Sequence, residues 1–344
     1  MSLSKKDKKR LINKEINDLI SPSKNIQEGC LVVNRANTWV DESKIRPLPK
    51  MLFDEFWFEY ELCILFADTN IGKSVLAVQI ADSISRGKSI KGFRFEANKS
   101  RVLYLDFELS DKQFEKRCSN NYKDHYKFHD DFFRAEINPD MDVPKEFSGL
   151  GDLICNQIES YVTRFGAKVV IIDNLTYLKD DNEKAKDALK LMKKLKEIIK
   201  KLKISILVLA HTPKRDQYKP ITKNDLAGSK MLMNFCDSSF AIGNSNDSRN
   251  IRYLKQIKQR NTEVKYDYEN VVECELKNPR NFLQFIFVGY GNENNHLKTK
   301  EIASRTERDE QMLQLRREGA TFKVIAEEFG LSESGVRKVL KDKI

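Results

Sequence analysis

Residues 66–74, Phe-Ala-Asp-Thr-Asn-Ile-Gly-Lys-Ser (FADTNIGKS), decide the fold. They end as the phosphate-loop pattern G-x-x-x-x-G-K-[ST] ends, yet Ala67 stands where that pattern has its first glycine. The flanks settle the reading. The apolar run Glu61–Ala67 leads in as a short strand, and Lys73–Arg86 follows with helical spacing of its apolar residues. In a strand–loop–helix setting, the backbone N–H groups between Thr69 and Ser74 converge on an anion at the helix N-terminus. The residues expected to hold a nucleotide are therefore Asp68, Thr69, Asn70, Ile71, Gly72, Lys73, Ser74 and Val75. Lys73 would reach the outer phosphates, and the Ser74 hydroxyl would bind Mg²⁺. A glycine at the first position eases the turn, so alanine there bears on geometry more than on chemistry.

The same rhythm continues downstream. Arg101–Asp106 (RVLYLD), Lys168–Asp173 (KVVIID) and Ile204–Ala210 (ISILVLA) read as strands, with helices over Ser110–Asn120, Leu153–Phe165 and Asn182–Lys203. Such alternation indicates an α/β fold with a mostly parallel central sheet covered on both faces. Ser238–Ile242, Ile251–Lys258, Val271–Leu276 and Leu283–Val288 then read as antiparallel strands extending the sheet. Residues 289–304 (GYGNENNHLKTKEIAS) have the polar, Gly/Asn-rich composition of a linker. The lysines of Asn182–Lys203 read as a solvated face, opposite Ala188, Leu191, Met192, Leu195, Ile198, Ile199 and Leu202.

In open α/β sheets, ligands bind at the carboxyl ends of the strands, where three polar residues are expected. Asp173 ends an apolar strand and suits a Mg²⁺ shell. Glu108, just after Asp106, suits polarisation of an attacking water, with an N-cap or ion-pair carboxylate as the alternative. His211 follows the strand ISILVLA and suits sensing of the terminal phosphate.

The ordered set FADTNIGKS, YLDFELS, VVIIDNLTYL and ILVLAHTPK resembles the RecA-like P-loop NTPase core, specifically its RepA/DnaB-type hexameric helicase branch. Small AAA-family ATPases of plasmids and mobilisable elements look much the same. The resemblance spans about Leu52 to Val288 and implies ATP and Mg²⁺ as cofactors. It puts the catalytic glutamate on Glu108, the Walker B aspartate on Asp173 and the sensor on His211, beside Lys73. IKQRN (Ile257–Asn261) resembles the DnaB-type K-Q-R-N. Carried over, Lys258 and Arg260 act in trans on a neighbour's γ-phosphate, the arginine-finger role; ordinary exposed basic residues are the alternative. Asp225–Ile242 (DLAGSKMLMNFCDSSFAI) is similar to the segment after the central-channel loop, so that loop falls at Pro213–Asn224. Lys214, Arg215 and Tyr218 there suit a single-stranded DNA backbone and one stacked base, and equally a solvated loop.

From Arg305 the chain reads RTERDEQMLQLRREGATFKVIAEEFGLSESGVRKVLKDKI, with helices expected over Glu307–Glu318, Thr321–Phe329 and Glu333–Lys341. IAEEFGLSESGVRKVL resembles a resolvase- or sigma-type helix-turn-helix. That resemblance implies a small all-α DNA-binding domain whose last helix offers Ser332, Ser334, Arg337, Lys338 and Lys341 to a duplex. A protein-binding trihelical cap is the alternative.

Composition narrows the rest. A net charge of +10 suits a polyanion partner, and the chain has no apolar run near the ~20 residues that span a bilayer. Six scattered cysteines without C-x-x-C spacing point to a reducing cytoplasm rather than to disulfides or zinc. The basic start MSLSKKDKKRLINKEINDLI lacks the apolar core of a secretory signal, and residues 1–30 read as a mobile or separately docked helix. The domains expected are a basic segment at 1–50, a RecA-like domain at 51–290, a linker at 291–304 and the helix-turn-helix at 305–344. The function expected is an ATP-dependent DNA motor forming a homo-oligomeric ring, a hexamer, in replication or mobilisation of a genetic element. An ATP-switched DNA-binding regulator without unwinding is the main alternative, and a small-molecule kinase the third.

Overall fold

The computed structural model describes residues 26–28, 30–175, 186–213, 215–226, 229–246, 248–298 and 300–341. Two compact units divide at Pro49/Lys50. In the first, β1 (Ile26–Glu28) pairs antiparallel with β2 (Leu31–Val33), and α1 (Ala36–Lys44) follows. A helix was expected over residues 1–30; residues 1–25 lie outside the described ones, and 26–28 form a strand instead.

The second unit opens with the hairpin of β3 (Met51–Phe53) and β4 (Trp57–Phe58), followed by β5 (Leu62–Ala67) and α2 (Lys73–Arg86). Next come β6 (Val102–Asp106), α3 (Asp111–Arg117), the short pair β7 (Ser119–Asn120) and β8 (Asp124–His125), β9 (Phe132–Ala135) and α4 (Leu150–Phe165). Then follow β10 (Val169–Asp173), α5 (Lys186–Leu202), β11 (Ser205–His211), α6 (Ser229–Phe235) and β12 (Ser238–Asn244). Strands β13 (Ile251–Lys258), β14 (Val271–Lys277) and β15 (Gln284–Gly291) complete a nine-stranded sheet ordered β15-β14-β13-β12-β5-β11-β10-β6-β9. From β12 to β9 all neighbours are parallel; β13, β14 and β15 add on antiparallel. This is a RecA-like P-loop NTPase fold.

Why these runs form strands is visible in their burial. β5, β6 and β10 are buried at every position, as parallel strands covered on both faces must be. Their side chains alternate between two cores: Cys63, Leu65, Val169 and Ile171 meet α2, while Leu62, Ile64, Val170 and Ile172 meet α4 and α5. Helix α5 buries Leu191, Met192, Leu195, Ile198 and Ile199 as its spacing implied. Its lysines are not all solvated: Lys194 and Lys201 pair with Asp152 and Glu159 of α4, and Lys196 with Asp237. Strand β9 has no separate place in the sequence reading, because four half-buried residues make too short a pattern.

The expected linker needs correction. β15 runs to Gly291, and a 3₁₀ turn over Glu293–His296 packs back onto the sheet. Glu293 is fully buried; its carboxylate accepts from Lys255 Nζ at 2.5 Å, the Ile221 amide at 2.7 Å and the Tyr253 hydroxyl at 3.1 Å. His296 stacks on Tyr253 at 4.9 Å. The segment's polar composition serves a buried network rather than solvent exposure, which composition alone does not distinguish.

Helices α7 (Lys300–Arg317), α8 (Phe322–Glu328) and α9 (Glu333–Leu340) enclose a separate small core of Met312, Ile325, Ala326, Val336 and Leu340. Leu331 packs against it, half-buried. Thr321 and Ser332 cap the last two helices, accepting from the Val324 and Gly335 amides at 3.3 and 3.1 Å. Helix α7 begins at Lys300, earlier than the Glu307 expected, which shortens the linker further.

The buried network dictates where the chain tolerates being cut. A form ending at Asn292 leaves Lys255 as an uncompensated buried cation, so it should be less stable than one ending at Lys298 by ~3–5 kcal/mol. Urea unfolding of the two forms measures the difference; equal stability would mean that the Glu293 network contributes nothing.

Candidate nucleotide site

The site grows from the ends of adjacent parallel strands. Ala67, the last residue of β5, sits in register with His211, the last of β11; Asp106 and Asp173 end β6 and β10 in register with each other. Because Ala67 keeps the extended conformation of its strand, no glycine is needed there. The turn comes later, with positive φ at Asn70 (62°) and Gly72 (110°). A side chain at Gly72 would meet the Phe285 ring at 3.1 Å, so this glycine is required twice over.

Lys73 opens α2 and is buried. Its ammonium donates to the carbonyls of Ala67 and Asp68, both at 3.0 Å, and lies 3.0 Å from His211 Nδ1. Burial lowers its pKa, against the pull of Glu108, Asp173 and Asp68. Asp68 accepts from the Thr212 hydroxyl; Thr69 and Asn70 are exposed, Ile71 is buried, and the Val75 side chain belongs to the core beneath the loop. Val75 thus has only its backbone to offer a ligand.

Asp173 is wholly buried; its Oδ2 accepts from the Tyr104 hydroxyl at 2.7 Å, and the Ser74 hydroxyl also bonds its carboxylate. Burial pushes its pKa up to about 6, opposed by the Tyr104 and Ser74 hydrogen bonds, while the charges of Glu108 and Asp106 add to the rise. Among the described residues, Oδ1 has no hydrogen-bond partner. A buried carboxylate oxygen lacking a partner, next to a serine hydroxyl, fits a hard cation such as Mg²⁺. No group of three or more His, Cys, Asp or Glu side chains converges for a metal among the described residues. An ion here would take its remaining ligands from phosphate and water.

Asp106 holds the turn that presents Glu108. Its Oδ1 accepts from the amides of Glu108 (3.2 Å) and Leu109 (3.0 Å), and Arg134 Nε donates to its Oδ2 at 2.9 Å. On the other side the Phe107 amide donates to the Asp173 carbonyl at 2.7 Å. Glu108 does not cap a helix; Ser110 does, in a capping box with Gln113. Instead, Glu108 Oε1 accepts from the Asn174 amide and lies 3.0 Å from His211 Nε2. His211 thus stands between Lys73 at Nδ1 and, at Nε2, both Glu108 Oε1 and the Asn174 side-chain nitrogen at 2.9 Å. Lys73, His211 and Glu108 therefore form one hydrogen-bonded chain. Asn174, Thr212, Tyr104 and Arg134 complete the site; no motif in the sequence marks them.

Lys258 and Arg260 are not brought to this site. Lys258 pairs in register with Ser239 at the start of β12, and Ser238 pairs with Cys63 near the start of β5, so the two cations lie at the opposite edge of the sheet. There, Lys258 donates to the Met233 and Cys236 carbonyls, and Arg260 meets Asp237 Oδ1 and the Asn234 carbonyl, each at 3.2 Å. Of the residues expected to meet single-stranded DNA, Lys214 lies outside the described ones. Arg215 folds back on the Lys219 carbonyl at 2.8 Å, and Tyr218 is exposed. On α9, Ser332, Ser334, Arg337 and Lys338 are exposed, as is Lys341 just beyond it. Ser332 also caps its helix, and the Arg337 guanidinium lies 4.4 Å over the Phe322 ring.

At the edge of the sheet with Arg260, Glu61 is buried and accepts from the Ser238 hydroxyl, the Phe58 amide and the Asn261 amide. Burial pushes its pKa from 4.5 up to about 7, opposed by these hydrogen bonds and helped by the charge of Asp237. The folded chain thus binds this proton more tightly than the unfolded one. Stability is fullest below about pH 4.5 and is lost as pH rises through about 7, by about 3 kcal/mol from this group. Glu61→Gln should remove that loss, which urea unfolding on either side of the interval measures. An unchanged slope would place the titration elsewhere.

No helix among the described residues is long and apolar enough to cross a membrane. A comparison with curated proteins gave no match. A family model described as an AAA domain matches residues 32–217, more than half of the chain and the part that carries the phosphate loop, Glu108, Asp173 and His211, and the chain belongs to that family.

Proposed function

We propose that this chain is an ATP- and Mg²⁺-dependent DNA motor of the RepA/DnaB type, working as a hexameric ring in replication or mobilisation of a genetic element. The observation that carries the reading is the hydrogen-bonded chain Lys73–His211–Glu108 beside the Asp173 oxygen that has no partner among the described residues. Residues 68–75 cradle the phosphates with their amides at the start of α2, and the Lys73 ammonium exchanges its two backbone carbonyls for phosphate oxygens. Ser74 and Asp173 hold the metal, which when bound neutralises phosphate charge. Glu108 takes a proton from water as that oxygen bonds to the terminal phosphorus and the bond to the bridging oxygen breaks, releasing ADP. His211 reports the outcome, since its two ring nitrogens face Lys73 and Glu108.

Lys258 and Arg260 act on the neighbouring subunit's ATP; their position at the opposite edge of the sheet favours work in trans. Residues 213–224, with Lys214, Arg215 and Tyr218, line the channel for single-stranded DNA. The exposed residues of α9, with Lys341, dock on a duplex, where the capped, basic helix suits phosphates and base edges.

Two experiments test the halves of this reading. Lys73→Ala should abolish ATP hydrolysis, while Glu108→Gln should keep ATP binding and lower turnover by ~10²–10⁴-fold. Normal turnover in Lys73→Ala ends the ATPase reading, and in Glu108→Gln it moves the base elsewhere. The form ending at Lys298 should retain ATPase activity and lose most duplex-DNA affinity. Full duplex affinity would remove the helix-turn-helix assignment, and absence of strand displacement by the whole chain would favour an ATP-switched regulator.

A further inference from the structure

Strand β13 touches three separate parts of the molecule. At its start, Arg252 Nε donates to the carbonyl of Ile71 in the phosphate loop at 3.2 Å. Its Nη1 donates to the carbonyls of Arg249 and Ile251 at 2.8 and 2.9 Å. Among the described residues Arg252 forms no ion pair, and burial alone lowers its pKa. A partly desolvated guanidinium that holds backbone carbonyls and has no carboxylate beside it costs stability unless that position serves something.

Mid-strand, the Lys255 ammonium donates to the Ile221 carbonyl at 2.8 Å and to Glu293, whose carboxylate also accepts from the Ile221 amide. At the far end stand Lys258 and Arg260. The strand between is held on both sides: β12 and β14 flank its first half, and the Gln256 side chain accepts from the Lys265 and Tyr266 amides at 2.7 Å and donates to the Glu55 carbonyl. The ladder to β12 runs from Arg252 to Lys258 with one irregularity, between Gln256 and Lys258, so both ends share one hydrogen-bonded partner strand.

We propose that Arg252 is a positioning residue that sets the phosphate loop from behind and, through β13, ties the loop's state to the Lys258/Arg260 end offered to the next subunit. The proposal rests on the trans role of Arg260 given above. The phosphate loop sits on this antiparallel extension: Phe285 of β15 fills the space at Gly72, and Arg252 holds the residue before it. A loop that shifts when phosphates enter pulls on Ile71 and hence on the start of β13. The consequence is cooperativity between neighbouring ATP sites, carried by one strand.

The test uses the full chain with Arg252→Met and Arg252→Lys. ATP affinity is read in the Glu108→Gln background, and the rate against ATP concentration in the wild-type background. Loss of a charged hydrogen bond to the loop should weaken ATP binding by ~10-fold in Arg252→Met. The Hill coefficient, above one in the wild type, should fall to about 1. Arg252→Lys keeps the charge and loses the fork, so it should rescue neither readout, whereas a purely electrostatic role would be rescued. Unchanged affinity overturns the positioning role; weakened affinity with an unchanged Hill coefficient, or a wild-type coefficient of one, overturns the coupling. Mixing Arg260→Ala with Lys73→Ala subunits separates the underlying reading. Recovered activity supports the trans finger, and none despite labelled-subunit exchange overturns it and the coupling, leaving the affinity effect to support loop positioning alone.

Discussion

The site depends on the register of four parallel strands. Asp173 pairs with Asp106 and His211 with Ala67 because β10 runs beside β6 and β11 beside β5 without a shift. Side chains alternate with period two, so a slip of one residue would send Asp173 to the other face and put Ile172 in its place. What prevents the slip is the pair of cores. Val169 and Ile171 belong to one and Val170 and Ile172 to the other, so a shifted strand would unpack both layers. Hydrophobic burial far from the nucleotide thereby fixes polar groups to within hydrogen-bond distance.

Buried charge then ties distant parts of the chain together. In a low-dielectric interior an unpaired charge destabilises the fold, so several buried carboxylates take a cationic partner from wherever the topology brings one. Asp106 takes Arg134 from the edge strand, Asp54 takes Arg94, and Glu293 takes Lys255. Each pair holds a segment of consequence: the Glu108 turn, the hairpin ahead of β5, and the backbone at Ile221. Asp173 departs from this pattern, with one oxygen lacking a partner and its pKa raised. Such an oxygen beside the phosphate loop has the chemistry to accept a ligand.

The antiparallel strands are more than an extension of the sheet. β15 brings Phe285 against Gly72, β13 brings Arg252 to Ile71, and the other end of β13 carries Lys258 and Arg260 across to the far edge. One strand thus touches the loop at one end and carries two cations at the other, and a family match ending at residue 217 does not reach it.

The sequence by itself determined the α/β architecture, the phosphate loop, and the strand ends at Glu108, Asp173 and His211, because these are local matters: apolar runs of strand length, a Gly-Lys-Ser at a helix start, and polar residues where such runs stop. It also announced the three C-terminal helices through their spacing and capping residues. Edge strand β9 and the role of 289–298 stayed hidden, since a half-buried four-residue strand and a polar segment folded onto the sheet resemble loops in composition. Asn174, Tyr104, Arg134 and Arg252 were equally silent. Only the tertiary structure decided that they meet Glu108, Asp173, Asp106 and the loop, because those contacts join segments separated by up to 181 residues and depend on strand order, which no local pattern encodes.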